Sequence, residues 1–367
     1  MQYDFNKVIN RRGTYSTQWD YIQDRFGRSD ILPFSISDTD FPVPVGVQEA
    51  LEQRIKHPIY GYTRWNNEDY KNSIINWFSS QNQVTINPDW ILYSPSVVFS
   101  IATFIRMKSA VGESVAVFTP MYDAFYHVIE DNQRVLAPVR LGSAQQDYSI
   151  DWDTLKAVLK QTATKILLLT NPHNPTGKVF SDDELKHIVA LCQQYNVFII
   201  SDDIHKDIVY QKAAYTPVTE FTTKNVVLCC SATKTFNTPG LIGAYLFEPE
   251  AELREMFLCE LKQKNALSSA SILGIESQMA AYNTGSDYLV QLITYLQNNF
   301  DYLSTFLKSQ LPEIRFKQPE ATYLAWMDVS QLGLTAEKLQ DKLVNTGRVG
   351  IMSGTTYGDS HYLRMNI

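Results

Sequence analysis

Short apolar segments alternate with helix-like stretches through the middle of this chain of 367 residues. Seven segments are rich in branched side chains and almost free of polar residues, at 91–93, 115–118, 135–139, 166–170, 197–201, 226–230 and 244–247. Helix-like stretches separate most of them, near 97–109, 122–130, 152–160 and 181–195. This alternation is typical of a mainly parallel sheet covered by helices on both faces. We therefore predict an α/β fold with a seven-stranded large sheet.

The two ends of the chain depart from this pattern. Residues 1–45 have no clear period and end in a proline-containing segment, so we predict an N-terminal arm that forms part of a small domain. Helices are predicted at 45–55, 69–80, 250–264, 269–283 and 287–309, and a smaller mixed region begins at Glu313. We predict a large domain over 46–275, and a small α+β domain that 276–367 forms with the arm.

Composition and charge exclude several kinds of partner. The net charge of −7 argues against nucleic acid and anionic membranes, since both need a basic surface. The N-terminal residues contain no hydrophobic signal segment, and no apolar run approaches the length of a membrane span. The four cysteines lie on apolar stretches without metal-binding spacing, so we predict no metal site and a reducing, cytoplasmic location. They are Cys192, Cys229, Cys230 and Cys259.

Three polar motifs each follow a predicted strand. Asn174 lies in an Asn-Pro-rich loop after strand 166–170, Asp202 lies at the end of strand 197–201, and Lys234 follows strand 226–230. The carboxyl ends of parallel strands meet at one edge of a sheet, where open sheets bind their ligands. We therefore expect the three side chains to share one cleft.

The chemistry of these three side chains is complementary. A partly desolvated lysine has a lowered pKa and can attack an aldehyde, so Lys234 is interpreted as a Schiff-base lysine. A buried Asp202 would need a cationic partner, and the Asn174 amide can donate to an anionic oxygen. Each also has an ordinary interpretation, as a solvated lysine, a helix-capping acid and a residue of a simple turn. Their shared position at one edge favours a functional site.

The combination resembles a known superfamily. Asn174-Pro175-Thr176-Gly177, Asp202 with His205, and Ser231-x-x-Lys234 resemble the motifs of pyridoxal-phosphate enzymes with the aspartate aminotransferase fold, class I and II. Within that superfamily, the segments at 61–65, 95–98, 119–126 and 201–205 most resemble the cystathionine β-lyase (C–S lyase) branch of MalY/PatB type. The resemblance covers nearly the whole chain, and it implies a pyridoxal 5'-phosphate cofactor bound by the large domain and an amino-acid substrate.

The resemblance also implies a role for each residue of the cleft. Lys234 would hold the cofactor covalently and act as the base at the substrate Cα. Asp202 would pair with the pyridine nitrogen, and Asn174 would hydrogen-bond the ring hydroxyl. Tyr122 would stack on the ring. His205 would lie near the ring hydroxyl, either as a cofactor contact or as a structural histidine.

The cofactor phosphate would bind where a helix begins after Tyr93. The resemblance implies contacts from the Ser96, Val97 and Val98 segment, because backbone amides and the helix dipole there favour an anion. Ser231 and Thr233 would add hydroxyl donors. The aminotransferases usually carry an arginine eight residues after the lysine, where this chain has Ile242.

Two further residues complete the implied site. Tyr62 would reach the phosphate and substrate of the neighbouring subunit as a catalytic and binding residue, which implies a homodimer with composite active sites. Arg364 would bind the substrate α-carboxylate, with Asn174 and Tyr62 as further substrate contacts. The alternative interpretation of Arg364 is a surface arginine on an edge strand. The family normally continues through another helix, so we expect this sequence to be truncated or to cover only the ordered part.

The predicted reaction is α,β-elimination on an L-amino acid with a sulfur leaving group at Cβ, such as L-cystathionine or L-cysteine. Transamination with a 2-oxo acid acceptor is the main alternative, because fold and cofactor are shared between the two activities. A second alternative is a non-catalytic protein that binds a partner. Three intact polar residues at Lys234, Asp202 and Asn174 argue against that second alternative, because burying such groups is costly.

Overall fold

The computed structural model describes residues 2–367, and Met1, the first residue of the predicted arm, lies outside them. Twelve β-strands are present in the described chain: β1 (Leu32–Phe34), β2 (Ile91–Ser94), β3 (Ser114–Thr119), β4 (Val135–Arg140), β5 (Thr164–Thr170), β6 (Phe198–Asp202), β7 (Val226–Cys230), β8 (Ala244–Phe247), β9 (Arg315–Phe316), β10 (Leu324–Asp328), β11 (Val349–Ser353) and β12 (Tyr362–Asn366).

Eleven α-helices accompany the strands over the same residues: α1 (Ile22–Phe26), α2 (Val45–Lys56), α3 (Glu68–Asn82), α4 (Val97–Lys108), α5 (Asp123–Glu130), α6 (Trp152–Leu159), α7 (Asp182–Tyr195), α8 (Ala251–Cys259), α9 (Ile272–Thr284), α10 (Ser286–Gln310) and α11 (Ala336–Asp341). The helix predicted over 250–264 ends as α8 at Cys259 and continues as one π-helical turn, Glu260–Lys264. None of the described helices is long and apolar enough to cross a membrane.

The seven predicted strands form one large sheet in the described chain, in the order β2-β8-β7-β6-β5-β3-β4. Only β8 runs antiparallel to its neighbours within this sheet. The predicted mainly parallel α/β sheet is therefore confirmed.

Helices cover both faces of the large sheet. Successive residues of a strand point to opposite faces. Ile200 accordingly packs in one apolar cluster with Phe104 of α4, whereas Ile199 packs in a second cluster with Ile188 of α7. Every residue of β6 and β7 is buried, which explains the nearly unbroken apolar sequence of these two strands.

Both ends of the chain contribute to the small sheet. Its order among the described residues is β1-β11-β12-β10-β9, and β1 of the N-terminal arm pairs in parallel with β11, Leu32 opposite Val349. Strand β12 lies between β11 and β10, so Arg364 is on an interior strand and not on an edge. The smaller α+β unit formed from both termini is thus confirmed, while the domain boundaries at 45/46 and 275/276 stay predictions.

Local signals explain where two important helices begin. Ser181 accepts a hydrogen bond from the Glu184 N–H at 3.2 Å, and Glu184 accepts one from the Ser181 N–H at 2.9 Å, so α7 begins with a capping box. Ser96 caps α4 by a single hydrogen bond, since its hydroxyl oxygen accepts from the Phe99 N–H at 3.1 Å.

Candidate active site

A cavity of about 440 Å³ lies at the carboxyl ends of the large-sheet strands. Ten residues predicted from the sequence line it together: Lys234, Asp202, Asn174, Tyr122, His205, Ser96, Val97, Val98, Ser231 and Thr233. The topology explains this convergence, because β5, β6 and β7 are parallel neighbours and their following loops meet at one edge.

Lys234 projects into this cavity from the turn after β7. Its Nζ donates a hydrogen bond to the Ser37 carbonyl oxygen at 2.7 Å. Burial is the main cause that lowers the lysine pKa to about 8; the nearby Arg364 guanidinium acts in the same direction, and the Asp38 and Asp202 carboxylates oppose both. A substantial neutral fraction is therefore available near neutral pH, which is what a nucleophilic or basic lysine requires.

Asp202 is the last residue of β6, and its side chain is almost fully buried. One carboxylate oxygen accepts from the Ile204 N–H at 3.2 Å. Burial raises the pKa of Asp202 to about 7, although the Ile204 N–H and the Lys234 ammonium both favour the charged form. A positively charged ring nitrogen beside this carboxylate would stabilise its ionised form.

Arg364 reaches the cavity lining through Asn174. Its guanidinium donates to the Asn174 side-chain oxygen at 3.2 Å and to the Ser35 carbonyl at 2.8 Å, and it lies over the Tyr357 ring at 4.3 Å. The side chain is buried, and its Nε has no hydrogen-bond partner among the described residues. These contacts exclude the alternative of a surface arginine.

His205 and Tyr122 are also held in place by packing. Burial lowers the pKa of His205 to about 3, so the imidazole is neutral, and its Nδ1 has no hydrogen-bond partner within residues 2–367. The His205 ring packs edge-on against Tyr323 at 6.0 Å between centroids. Tyr122 immediately precedes α5, and burial raises its pKa.

The N-terminus of α4 and the turn after β7 supply neutral donors to the cavity. The first residues of a helix have no intrahelical acceptor for their amides, so the N–H groups of Val97 and Val98 can bind an anion. Ser231 contacts Thr233 at 3.0 Å between hydroxyl oxygens and donates to the Gly243 carbonyl at 2.7 Å. Ile242 lines the same cavity with a positive φ of 53°, which is unusual for a β-branched residue.

Tyr62 is the one predicted residue that the fold of a single chain places elsewhere. Its side chain is 98% exposed. It lines a different cavity, of about 920 Å³, with Arg64 and Lys262 among its neighbours. Within one chain, Tyr62 is therefore not part of the Lys234 cavity.

Sequence reasoning did not identify Ser37 as part of the site. Its carbonyl accepts from both Lys234 and the Tyr323 hydroxyl, the latter at 3.0 Å. Asn237, three residues after Lys234, binds the same segment through the Thr39 backbone at 3.1 and 2.8 Å. No local pattern connects residues almost 200 positions apart, and Ser37 lies within the predicted N-terminal arm, which has no clear period.

Known proteins match this chain over nearly its whole length. A family model described as aminotransferase class I and II matches residues 29–367. The chain belongs to that family. It is 40% identical to Protein MalY of Escherichia coli (strain K12), over 99% of this chain and 94% of the relative. It is 32% identical to Cystathionine beta-lyase PatB of Bacillus subtilis (strain 168), over 99% and 95%.

A solved structure supports the same relationship. The PLP-bound C-S lyase from Staphylococcus hominis superposes on the whole of this chain and on 94% of its own length, with a TM-score of 0.92 and 25% identity. The predicted membership of the aminotransferase superfamily, close to its cystathionine β-lyase branch, is confirmed by these comparisons.

Proposed function

We propose that this protein is a pyridoxal-phosphate-dependent carbon–sulfur β-lyase. It converts L-cystathionine and water to homocysteine, pyruvate and ammonia, and it acts in the same way on L-cysteine-type substrates. The observation that carries the proposal is the convergence of Lys234, Asp202 and Asn174 on one cavity. The similarity to PatB and to the Staphylococcus hominis C–S lyase supports elimination as the reaction.

The residues present fit pyridoxal 5'-phosphate. Asp202 offers a buried carboxylate to the pyridine nitrogen, and the pKa of that carboxylate is raised to about 7. The His205 Nδ1 is a buried polar atom of the cavity lining without a partner in the described chain, so it is free to contact a cofactor bound there. The Val97 and Val98 amides lie at a helix N-terminus and bind a doubly charged phosphate more strongly than a neutral group. Lys234 would hold the cofactor covalently.

Each protein group then has a defined task in elimination. When bound, the cofactor supplies an electron sink for the electron pair left at the substrate Cα. Lys234, with a pKa lowered to about 8, removes the Cα proton. Arg364 binds the α-carboxylate and so orients that C–H bond towards the lysine. Asp202 would hold a proton on the ring nitrogen by its negative charge.

We also propose that the protein is a cytoplasmic homodimer. Tyr62 is almost fully exposed, and Ile59, Tyr60 and Ile242 also expose large apolar surfaces, which a partner subunit would cover. Tyr62 of one subunit would then complete the phosphate site of the other, where Ile242 provides no charge. The four cysteines are free thiols, which fits a reducing compartment.

The test is to incubate the purified protein, loaded with pyridoxal phosphate, with L-cystathionine and no 2-oxo acid, and to follow pyruvate. Release of pyruvate with an equal amount of homocysteine is expected. Absence of pyruvate, together with amino-group transfer that depends on 2-oxoglutarate, would show that the protein is an aminotransferase. A protein that stays colourless after addition of pyridoxal phosphate would have neither activity.

A further inference from the structure

A buried ion pair lies behind Lys234, outside the cavity. The side chains of Lys206 and Asp207 expose no surface, and the Lys206 Nζ donates to the Asp207 Oδ1. The Trp77 indole N–H donates to the same carboxylate oxygen at 2.9 Å. Because an unpaired buried charge is costly, this carboxylate is retained only with such partners. The reaction described above uses neither residue.

The second oxygen of Asp207 connects this ion pair to the lysine turn. Thr235 directly follows Lys234, is 1% exposed, and donates its hydroxyl to the Asp207 Oδ2 at 2.8 Å. The next residue, Phe236, is buried against the Trp77 ring at 5.5 Å between centroids. Two consecutive residues are thus anchored in the core, while Lys234 turns towards the cavity.

We propose that Asp207 is a positioning residue that sets the place of Lys234 through the Thr235 hydroxyl. This inference rests on the proposed function of Lys234. Asp207 lies five residues after Asp202 on the turn that follows β6, whereas Thr235 lies on the turn that follows β7. One hydrogen bond therefore joins the two turns and fixes the separation between Asp202 and Lys234, and catalysis by a lysine depends steeply on such placement.

Lys206 makes this arrangement possible without adding net charge behind the site. Its ammonium compensates the Asp207 carboxylate and lies 4.4 Å from the Phe78 ring centroid and 5.6 Å from that of Tyr282. Because the Lys206 ammonium pairs with the Asp207 carboxylate, the hydrogen bond from Thr235 to that carboxylate is charge-assisted and stronger than one between neutral groups. The charged groups that act on Lys234 itself are Asp38, Asp202 and Arg364.

The test compares Thr235→Val, which removes the hydroxyl, with Thr235→Ser, which keeps it. We expect Thr235→Val to lower kcat for pyruvate release from L-cystathionine by about 10- to 100-fold, as a misplaced reacting group does, with KM nearly unchanged. Thr235→Ser should restore most of kcat. A lower kcat with an unchanged KM distinguishes misplacement of the base from loss of substrate binding.

A second readout does not depend on turnover. Protein stripped of cofactor is treated with pyridoxal phosphate and borohydride over a pH series, and the reduced pyridoxyl group on Lys234 is quantified by peptide mapping. In the wild type the initial rate should rise with a midpoint near the lysine pKa of about 8. In Thr235→Val the midpoint should move upward, because a loosened lysine becomes better solvated.

Thr219→Val is the matched control, since Thr219 is also buried but its hydroxyl has no hydrogen-bond partner in the described chain. It should leave kcat and the midpoint unchanged. If Thr235→Val folds poorly, Thr235→Ala, which also lacks the hydroxyl and keeps the Lys206–Asp207 ion pair, supplies the same two measurements. Wild-type kcat and midpoint in these variants, even with a lower melting temperature, would overturn the positioning role. A wild type without the pyridoxyl group on Lys234 would instead refute the proposed function.

Discussion

Replacement of Asp202 by asparagine should make the cofactor-free protein more stable while it abolishes most turnover. Burial raises the Asp202 pKa from 3.8 to about 7 in the folded chain. The unfolded chain therefore loses this proton at lower pH than the folded chain. The free energy of unfolding therefore falls by about 1.4 kcal/mol for each pH unit between about pH 4 and pH 7. Above pH 7 the total loss levels off at about 4 kcal/mol.

Asp202→Asn removes this cost and retains an oxygen that can accept from the Ile204 N–H. Denaturation in urea, with cofactor-free wild type and variant at two pH values, measures the difference. The variant should be more stable by about 2 kcal/mol at pH 5 and by up to about 4 kcal/mol at pH 8. Turnover of the loaded variant should fall by about 10²- to 10³-fold, because an uncharged amide cannot keep the ring nitrogen protonated.

Asp131→Asn is the control for loss of one negative charge, because Asp131 is exposed at the end of α5. That variant should differ from wild type by less than about 0.5 kcal/mol. A stability difference for Asp202→Asn that is the same at pH 5 and pH 8, or a variant less stable than wild type at pH 8, would refute the burial argument.

Three further variants test the proposed site. Lys234→Ala should retain the fold and bind pyridoxal phosphate without a covalent bond, but lose pyruvate production. Borohydride reduction and peptide mapping of the wild type should find the pyridoxyl group on Lys234. Its presence on another lysine would contradict this assignment. Arg364→Lys should raise KM for the amino acid by about 10- to 100-fold, because a lysine cannot bind a carboxylate with two parallel hydrogen bonds; an unchanged KM in steady-state kinetics would remove Arg364 from the substrate site. Tyr62→Ala and Lys234→Ala should each be inactive alone. When the two variants are unfolded and refolded together, part of the activity should return, because one site of the mixed dimer is intact. No recovery in a mixture shown to be dimeric by sedimentation would argue against composite sites.

The sheet and most of its helices could be predicted because their signals are local. Strands buried on both faces produce short unbroken apolar runs, as in β7, and Ser181 with Glu184 defines the start of α7 within four residues. The three motifs could be placed together for a related reason. Once parallel order is inferred, the chain itself brings each strand end to the same edge, so Asn174, Asp202 and Lys234 converge without any knowledge of side-chain packing.

The remaining parts of the site depend on contacts that no local pattern records. The Ser37 carbonyl meets Lys234 across 197 positions, and Arg364 meets Asn174 across 190. The Asp207–Thr235 bond joins two turns that the sequence separates by 28 positions. Such contacts follow from how the small sheet and the strand-end turns pack in three dimensions. Hydrophobic periodicity predicts each element but leaves these distances undetermined.

Ile242 occupies the position where the aminotransferases usually have an arginine, so other groups must supply the contacts to the phosphate in the proposed site. The usual arginine at this place would neutralise a phosphate directly, whereas Ile242 lines the cavity without charge and adopts a positive φ. The lining of this cavity contains Lys234 as its single basic side chain among the described residues, apart from His205, which is neutral. In the proposed site, the helix N-terminus at Val97 and nearby hydroxyl groups would bind the phosphate through many weak donors, each of which adds little alone. A site of that kind gains most from one additional donor, and this is why the exposed Tyr62 makes best physical sense as a group that serves a second subunit.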